Sequence, residues 1–547
     1  MKKRWIAVMM STVMLLTAAG CSGGESGTAQ APGTEGSGAA GGATAGNVSV
    51  EATGESSKDT LIIANTSGEP GNVHPYNSVS IGASMVQYLI FEGLVSVDTK
   101  GEVLPALAES WEVDQEKITF HIRDGVTFHN GEALTVDDVV FSIQEMANST
   151  GGKASNYTAC DVENITTPDE KTVVIPLKED NSGQLSYFGE LFIVNKKAYQ
   201  EMGDQYQYEP VGTGPFKLTD WVVGDVMTLE RFDDYWDGAP LLETVKIRTI
   251  SEVSQALIEV ETGGADIMIN PDGSDVARVL NGEVGGVKAI TEPTLILRNN
   301  NVNFNHNSEY MSNKKVREAI AHCIDRESWA NIISPGVGVP AYSSVAAGIW
   351  GFDETLADNY PYAYDLEAAK ACLAEAGYPD GFSCTILTDA RTYHQALVEL
   401  LQASLSQVGI DLKVDTMELA KQKEIMASGE GFDLFLLDNV GRSGDHLSCL
   451  WRDSNPEFSG IGGTNYLFYT VEKEGAKEYA ECLGKIRACY DDTERLALCK
   501  EGQKIFTDNL IWIPVNSIQA YVLATESLQN VTFSGDILRI TNKTFFE

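Results

Sequence analysis

The run LDNVGRSGDHL, residues 437–447, gathers the side chains best able to bind a solute or move a proton: Asp438, Asn439, Arg442, Asp445 and His446. A carboxylate beside an imidazole can ligate a metal or polarise a hydroxyl. Closing a metal site would take a second histidine at ligand spacing, and none of the other six histidines lies near His446 in the sequence. No Cys-x-x-Cys occurs, and no Cys/His spacing matches a zinc site, so neither a metal nor another cofactor is expected. Nucleophile and phosphate motifs are missing too: there is no GxSxG, no HExxH and no GxxxxGK[ST]. Gly212-Thr213-Gly214-Pro215 lacks the lysine and following hydroxyl of a phosphate loop, so its glycines read as turn residues. With 78 acidic residues, carboxylate pairs can be picked anywhere and carry no argument for glycoside hydrolysis. Binding, not catalysis, is what these residue types offer.

The elements around that run place it at a strand end. Residues 432–437 are apolar and read as a strand, with residues 438–446 as the polar loop that follows. Before them, Ile410, Leu412 and Val414 alternate with Asp411, Lys413 and Asp415, another strand. Helices are expected over 314–325 with Asn313 as cap, over 366–376 with Asp365 as cap and Gly377 past the end, and over 396–408. Helices at 474–490 and 493–508 precede strands at 511–515 and 520–524.

The first half reads similarly. A strand at 60–64 ends in a polar loop, 65–77, before a helix at 83–91. Ile118, Phe120 and Ile122 alternate with polar residues. Thr135 and Asp138 have capping-box spacing for a helix to about residue 146. Residues 216–221 and 226–231 form a hairpin with Gly224-Asp225 as a two-residue loop, Met227, Leu229 and Arg231 sharing one face. Further strands are expected at 173–177, 245–250 and 266–269, and a helix at 253–262 before Gly263-Gly264. Strands and helices mix without strict alternation, so the fold class is α/β in the mixed α+β sense.

A chain of 547 residues exceeds what one core usually supports, which predicts at least two lobes. Its formal charge of −39 repels nucleic acid and anionic lipid, so neither is expected as a main partner. Residues 1–20 read as an export signal: Lys2, Lys3 and Arg4, an apolar run, then Thr17-Ala18-Ala19-Gly20 before Cys21. Residues 21–57, rich in Gly, Ala, Ser and Thr, read as a flexible tether. Small residues leading into Cys21 resemble a bacterial lipobox, which implies lipidation of Cys21 and an extracytoplasmic, membrane-anchored protein. Of the other eight cysteines one disulfide is possible, and the sequence does not pair it.

Seven stretches follow one another in order: FEGLV, LPALAESWE, ITFHIRDGVTFHNGEALTVDDVVFSI, PVGTGPFKL, ERFDDYWDG, VREAIAHCIDR and YDLEAAKACLAEAGYPDGF. Together they closely resemble the family 5 solute-binding proteins of ATP-driven (ABC) importers, which include oligopeptide-, dipeptide- and nickel-binding members. The resemblance runs from about Leu61 to the end. It implies a two-lobed, periplasmic-binding-protein-like Venus flytrap with an extra subdomain in lobe I. Lobe I would comprise residues 58–97, 210–302 and 508–547, the subdomain 98–209, and lobe II 303–507. It also implies a monomer that closes on a peptide or other small solute and presents it to membrane permease subunits. By analogy Tyr76 and Asn77 lie where relatives approach ligand, and Tyr342, Trp350 and Tyr393 are candidates for cleft walls. In peptide-binding members an Asp after the strand equivalent to 432–437 pairs with the peptide amine. Arg442 stands at that position here, which would favour a carboxylate; a solvated loop arginine fits equally, and Asp438 or Asp445 could still serve an amine. Nickel carriers hold a metal chelate with subdomain arginines, whereas 147–154 and 187–195 contain Lys153 and no arginine. His121, His129 and Trp111 sit in fold-bearing motifs. A nickel-chelate or oligosaccharide carrier of the same fold, or a surface sensor without transport, stands as the alternative.

Overall fold

In the computed structural model of the chain the described residues are 56–547, apart from 78–79, 150–152, 293–295, 441–449, 451–453, 460–464 and 535–536. The apolar run Thr60–Asn65 forms a central strand, with Leu61, Ile63 and Ala64 fully buried. Parallel neighbours Thr244–Thr249 and Ile267–Ile269 cover both its edges, which suits a run with little polar alternation. Around these, a seven-stranded sheet is completed by Val522–Thr525 and Val287–Ile290 on one side and by the hairpin Phe216–Val222 and Val226–Arg231 on the other. A six-stranded second sheet contains Gly338–Pro340, Trp512–Gln519, Ile296–Phe304, Leu434–Val440, Phe382–Thr388 and Ile410–Thr416, in that spatial order. Each sheet has its own buried apolar clusters, so the molecule is a mixed α/β protein of two lobes.

A three-stranded antiparallel sheet, Ala108–Val113, Lys117–Ile122 and Thr172–Pro176, is the extra subdomain's frame. The alternation at Ile118, Phe120 and Ile122 buries all three side chains in the core that also serves the first sheet. Thr135 and Asp138 close the expected capping box on the helix Val136–Asn148.

Four local expectations need correcting. The hairpin loop has three residues, 223–225, not two. Asp225 N–H donates to the Val222 carbonyl (3.0 Å), and Gly224 takes φ +80°. Its shape is set from outside, because the Glu69 carboxylate accepts from Gly224 N–H (2.8 Å) and Trp221 Nε1 (2.9 Å). The helix expected over 314–325 ends at His322, and Asp325 caps a further helix, Arg326–Ile333, by accepting from Ser328 N–H (3.1 Å). The helix expected over 396–408 begins at Thr392. Finally, the strand before the candidate loop is Leu434–Val440, so Asp438 and Asn439 are strand residues. Asn300 and Asn299 of the neighbouring strand pair with them and carry the ladder further.

That neighbouring strand, Ile296–Phe304, is the central polar feature of the second sheet. Asn299 donates to the Ser343 carbonyl (3.1 Å) and accepts from Ser517 Oγ (2.6 Å). Asn300 donates to Asn516 Oδ1 (3.1 Å), and Asn516 in turn donates to Ser334 Oγ (3.3 Å). Buried amides persist here because neighbouring strands and loops supply partners.

Candidate functional site

Strand direction alone locates the cleft. The segment Val287–Ile290 is antiparallel to Val522–Thr525, itself antiparallel to Ile267–Ile269, so it leaves the first sheet at the carboxyl edge of the parallel strands. The chain then enters the second sheet along Ile296–Phe304, antiparallel to Leu434–Val440, again at a carboxyl edge. It returns by the same edge, from Gln519 at the end of Trp512–Gln519 to Val522. Both crossings therefore join carboxyl edges, and the cleft between them is lined by the strand ends where α/β proteins bind ligand. Side chains stitch the crossings together. Thr291 Oγ1 donates to the Ala520 carbonyl (2.7 Å), and Gln519 Nε2 donates to the Glu292 carbonyl (3.1 Å). Thr99 Oγ1 ties the Glu292 carboxylate (2.5 Å) to the first lobe.

On the second lobe's edge stands a built polar cluster. The strand Phe382–Thr388 ends at Asp389, which is 4% exposed. Its carboxylate accepts from Arg391 Nε (2.8 Å), Arg391 Nη2 (2.6 Å), Arg391 N–H (3.0 Å) and His394 Nδ1 (3.0 Å). Burial pushes this carboxyl up, but the hydrogen bonds and positive charges of Arg391 and His394 outweigh it and hold it at about 2. Arg391 Nη1 also donates to Tyr393 OH (2.6 Å). Tyr393 is thus fixed at the start of the helix Thr392–Ser406, half-buried at the same sheet edge as the end of Leu434–Val440. Asp389 and Arg391 were not among the sequence candidates. No strand is expected before them from the sequence, and the strand Phe382–Thr388 that positions this Asp-x-Arg emerges only in the fold.

The other candidates are scattered. Tyr76 is 2% exposed, its hydroxyl donating to the Phe192 carbonyl (3.1 Å) and its ring among His74 and Tyr199, so the first lobe's interior takes it up. Asn77 is exposed one residue on, its N–H donating to His74 Nδ1 (3.2 Å). Tyr342 donates to Glu327 Oε1 (2.5 Å) and packs beside Tyr360, within the second lobe. Trp350 lies under the Arg495 guanidinium (4.1 Å), at a seam between the second lobe and the subdomain. There Arg495 Nη1 donates to the Ser182 carbonyl (2.9 Å), and Ser182 donates from N–H to Arg487 O (2.9 Å) and from Oγ to Ile486 O (2.8 Å). Asp438 and Asn439 end the strand at the cleft edge. Arg442, Asp445, His446 and Cys21 lie outside the described residues. Among the described residues no group of three or more His, Cys, Asp or Glu side chains could hold a metal ion, and no helix is long and apolar enough to cross a membrane.

Residues 102–459 match the model of the bacterial extracellular solute-binding proteins, family 5. The chain belongs to this family. It is 26% identical over 457 residues to heme-binding protein A of Haemophilus influenzae, covering 76% of this chain and 79% of that protein. It is 26% identical over 441 residues to the dipeptide-binding protein of Escherichia coli, covering 74% and 79%. The solved structure of HbpA2 from Haemophilus parasuis superposes with a TM-score of 0.79 at 23% identity, covering 89% of this chain and all of that one. These family 5 relatives are binding proteins, in keeping with the missing catalytic motifs.

Proposed function

We propose that the protein is the substrate-binding lipoprotein of an ABC importer, capturing a peptide or peptide-like solute between its lobes and handing it to a membrane permease. The observation that carries this reading is the pair of carboxyl edges facing each other across a two-segment hinge, with Asp389, Arg391 and Tyr393 fixed on one of them. Closure would bury a solute against both edges, and contacts made only in the closed state would drive it. Similarity to a dipeptide-binding protein favours peptides, and similarity to a heme-binding protein makes haem the next ligand to test. Lobe I is taken as residues 58–97, 210–302 and 508–547, its subdomain as 98–209 and lobe II as 303–507. Cys21 is the expected lipid attachment point, and Arg442 the residue that would select an acidic group.

A thermal-shift panel of di- to pentapeptides, haemin, nickel chelates and oligosaccharides tests the reading. A ligand at a hundred times its Kd stabilises the folded state by about 2.7 kcal/mol. Peptides are expected to raise the melting temperature. No shift with any peptide, alongside a clear shift with haemin or a sugar, would replace peptides by that ligand. Arg442→Asp should weaken acidic peptides at least tenfold; unchanged binding would remove Arg442 from the site.

A further inference from the structure

A separate cavity of about 570 Å3 opens in the first lobe, where the strands Val95–Val97 and Val103–Pro105 meet the C-terminal segment. Among the described residues no lining residue lies between Glu292 and Asn530, so no described strand of the second sheet contributes to it, which sets it apart from the interlobe cleft. Its volume falls within the range of small-molecule sites.

The charges around it do not all find partners. Each carboxylate of the lining already accepts hydrogen bonds. Glu92, 7% exposed, takes Tyr235 OH (2.7 Å), Thr213 Oγ1 (2.9 Å) and Trp236 Nε1 (3.0 Å). Asp98 takes two backbone N–H groups, Asp237 takes Asn542 Nδ2 (3.2 Å), and Glu292 takes Thr99 Oγ1 (2.5 Å). Among the cations, Lys543 Nζ lies 3.6 Å from Asp237 and Lys100 is exposed to solvent, which leaves the guanidinium of Arg539 as the partly buried group without such a partner. It is half-buried, stacks 4.3 Å from the centre of the Tyr88 ring, and makes no hydrogen bond or ion pair among the described residues. A guanidinium lying over an aromatic ring and making no hydrogen bond keeps N–H donors available, and the group that matches its fork is a carboxylate. Trp236 and Phe533 supply apolar surface to the same cavity.

We propose that this cavity is a second ligand site, taking a small organic carboxylate with a flat apolar body whose carboxylate pairs with Arg539 while its body lies against the aromatic walls. The unsatisfied bonding capacity sets the ligand's charge, and the rings set the shape of its body. The proposal is independent of what the interlobe cleft carries.

Benzoate is the probe, titrated into the full chain by calorimetry and by 19F NMR of 4-fluorobenzoate, with benzamide as the uncharged isostere. Benzoate should bind at least tenfold more tightly than benzamide. Arg539→Gln should weaken it at least tenfold. Thr532→Trp, which keeps Arg539 and fills the exposed mouth, should do the same and thereby separate loss of the site from a folding defect. The site does not exist as described if benzoate fails to bind, if benzamide binds as well, or if binding survives both substitutions.

Discussion

Gly212 and Gly214 show how one residue type can be necessary for a reason other than the obvious one. Neither adopts a positive φ; what they provide is clearance. A Cβ on Gly212 would lie 1.9 Å from the Ile90 carbonyl oxygen, and one on Gly214 would lie 2.6 Å from the Leu89 carbonyl oxygen. Backbone cannot yield as a side-chain tip can, so Gly212→Ala should cost at least about 3 kcal/mol, read as a lower urea midpoint. A midpoint within error of the parent would mean that the two segments are not packed this closely. His129 clamps the same segment from the other side. Its Nε2–H donates to the Gly214 carbonyl (2.9 Å), and its Nδ1 accepts from Gly212 N–H (3.4 Å), a pattern only the neutral imidazole satisfies. Burial pushes its pKa down to about 4, the Gly214 hydrogen bond opposing and Lys217 adding to the shift. In the unfolded chain this histidine takes its proton near 6.5, and in the folded protein only near 4. Stability is therefore intact above about pH 6.5, falls as pH drops, and levels off below about 4, a loss of about 3 kcal/mol. His129→Gln should be less stable at neutral pH and lose less than the parent between pH 7 and 4.5. Equal losses would mean that His129 titrates normally.

Among elements, helices were the legible class. Thr135 with Asp138, Asp365 before Leu366–Glu375 and Gly263 after Val253–Thr262 all cap as their sequence positions predict, because capping is a local contest decided within one turn. Asp325 reads as the last residue of one helix when it caps the next, because a carboxylate at a helix end looks the same for either role until its partners are known. The cleft strands were harder for a different reason. Asn299 and Asn300 look like loop residues, yet they are buried because Ser343, Asn516 and Ser517 come from far along the chain to meet them, and Asn303 is held by the Phe435 and Leu437 carbonyls. The same pairing extends Leu434–Val440 past the point where apolar character ends. Asn299→Ala would strand the Ser343 carbonyl and the Ser517 hydroxyl in the interior, costing about 2 kcal/mol. Hydrogen exchange should then rise along Ile296–Phe304 and Trp512–Gln519 while the first sheet stays protected. Uniform exchange across both sheets would contradict an independent network in the second lobe. Of the candidate site, Tyr393 is legible only as an aromatic that could wall a cleft, and the Asp389–Arg391 cluster that holds it depends on hydrogen bonds that no periodicity reports.

At the scale of the whole molecule the dominant fact is charge. Thirty-nine lysines and arginines face 78 aspartates and glutamates, a formal −39. Many of the ion pairs that form are largely exposed, such as Lys197–Glu132, Lys370–Glu367 and Lys421–Glu424, and exposed pairs contribute little each. The surplus acids therefore repel one another across a body whose two lobes are joined, among the described residues, by two strand crossings and the seam at Ser182 and Arg495. Screening acts on this repulsion directly, since the Debye length shrinks from about 30 Å at 0.01 M salt to about 8 Å at 0.15 M. Folding brings the acids together, so salt should relieve the folded state more than the unfolded one. Raising sodium chloride from 0.01 to 0.15 M should lift the melting temperature by about 1 °C, equivalent to about 1 kcal/mol for a chain of this size. Choline chloride at equal ionic strength should do the same, because the effect is screening and not capture of a particular cation. A melting temperature that stays flat or falls with salt would show that the acidic surface is already spaced widely enough not to matter. A rise with sodium but not with choline would point instead to a bound cation.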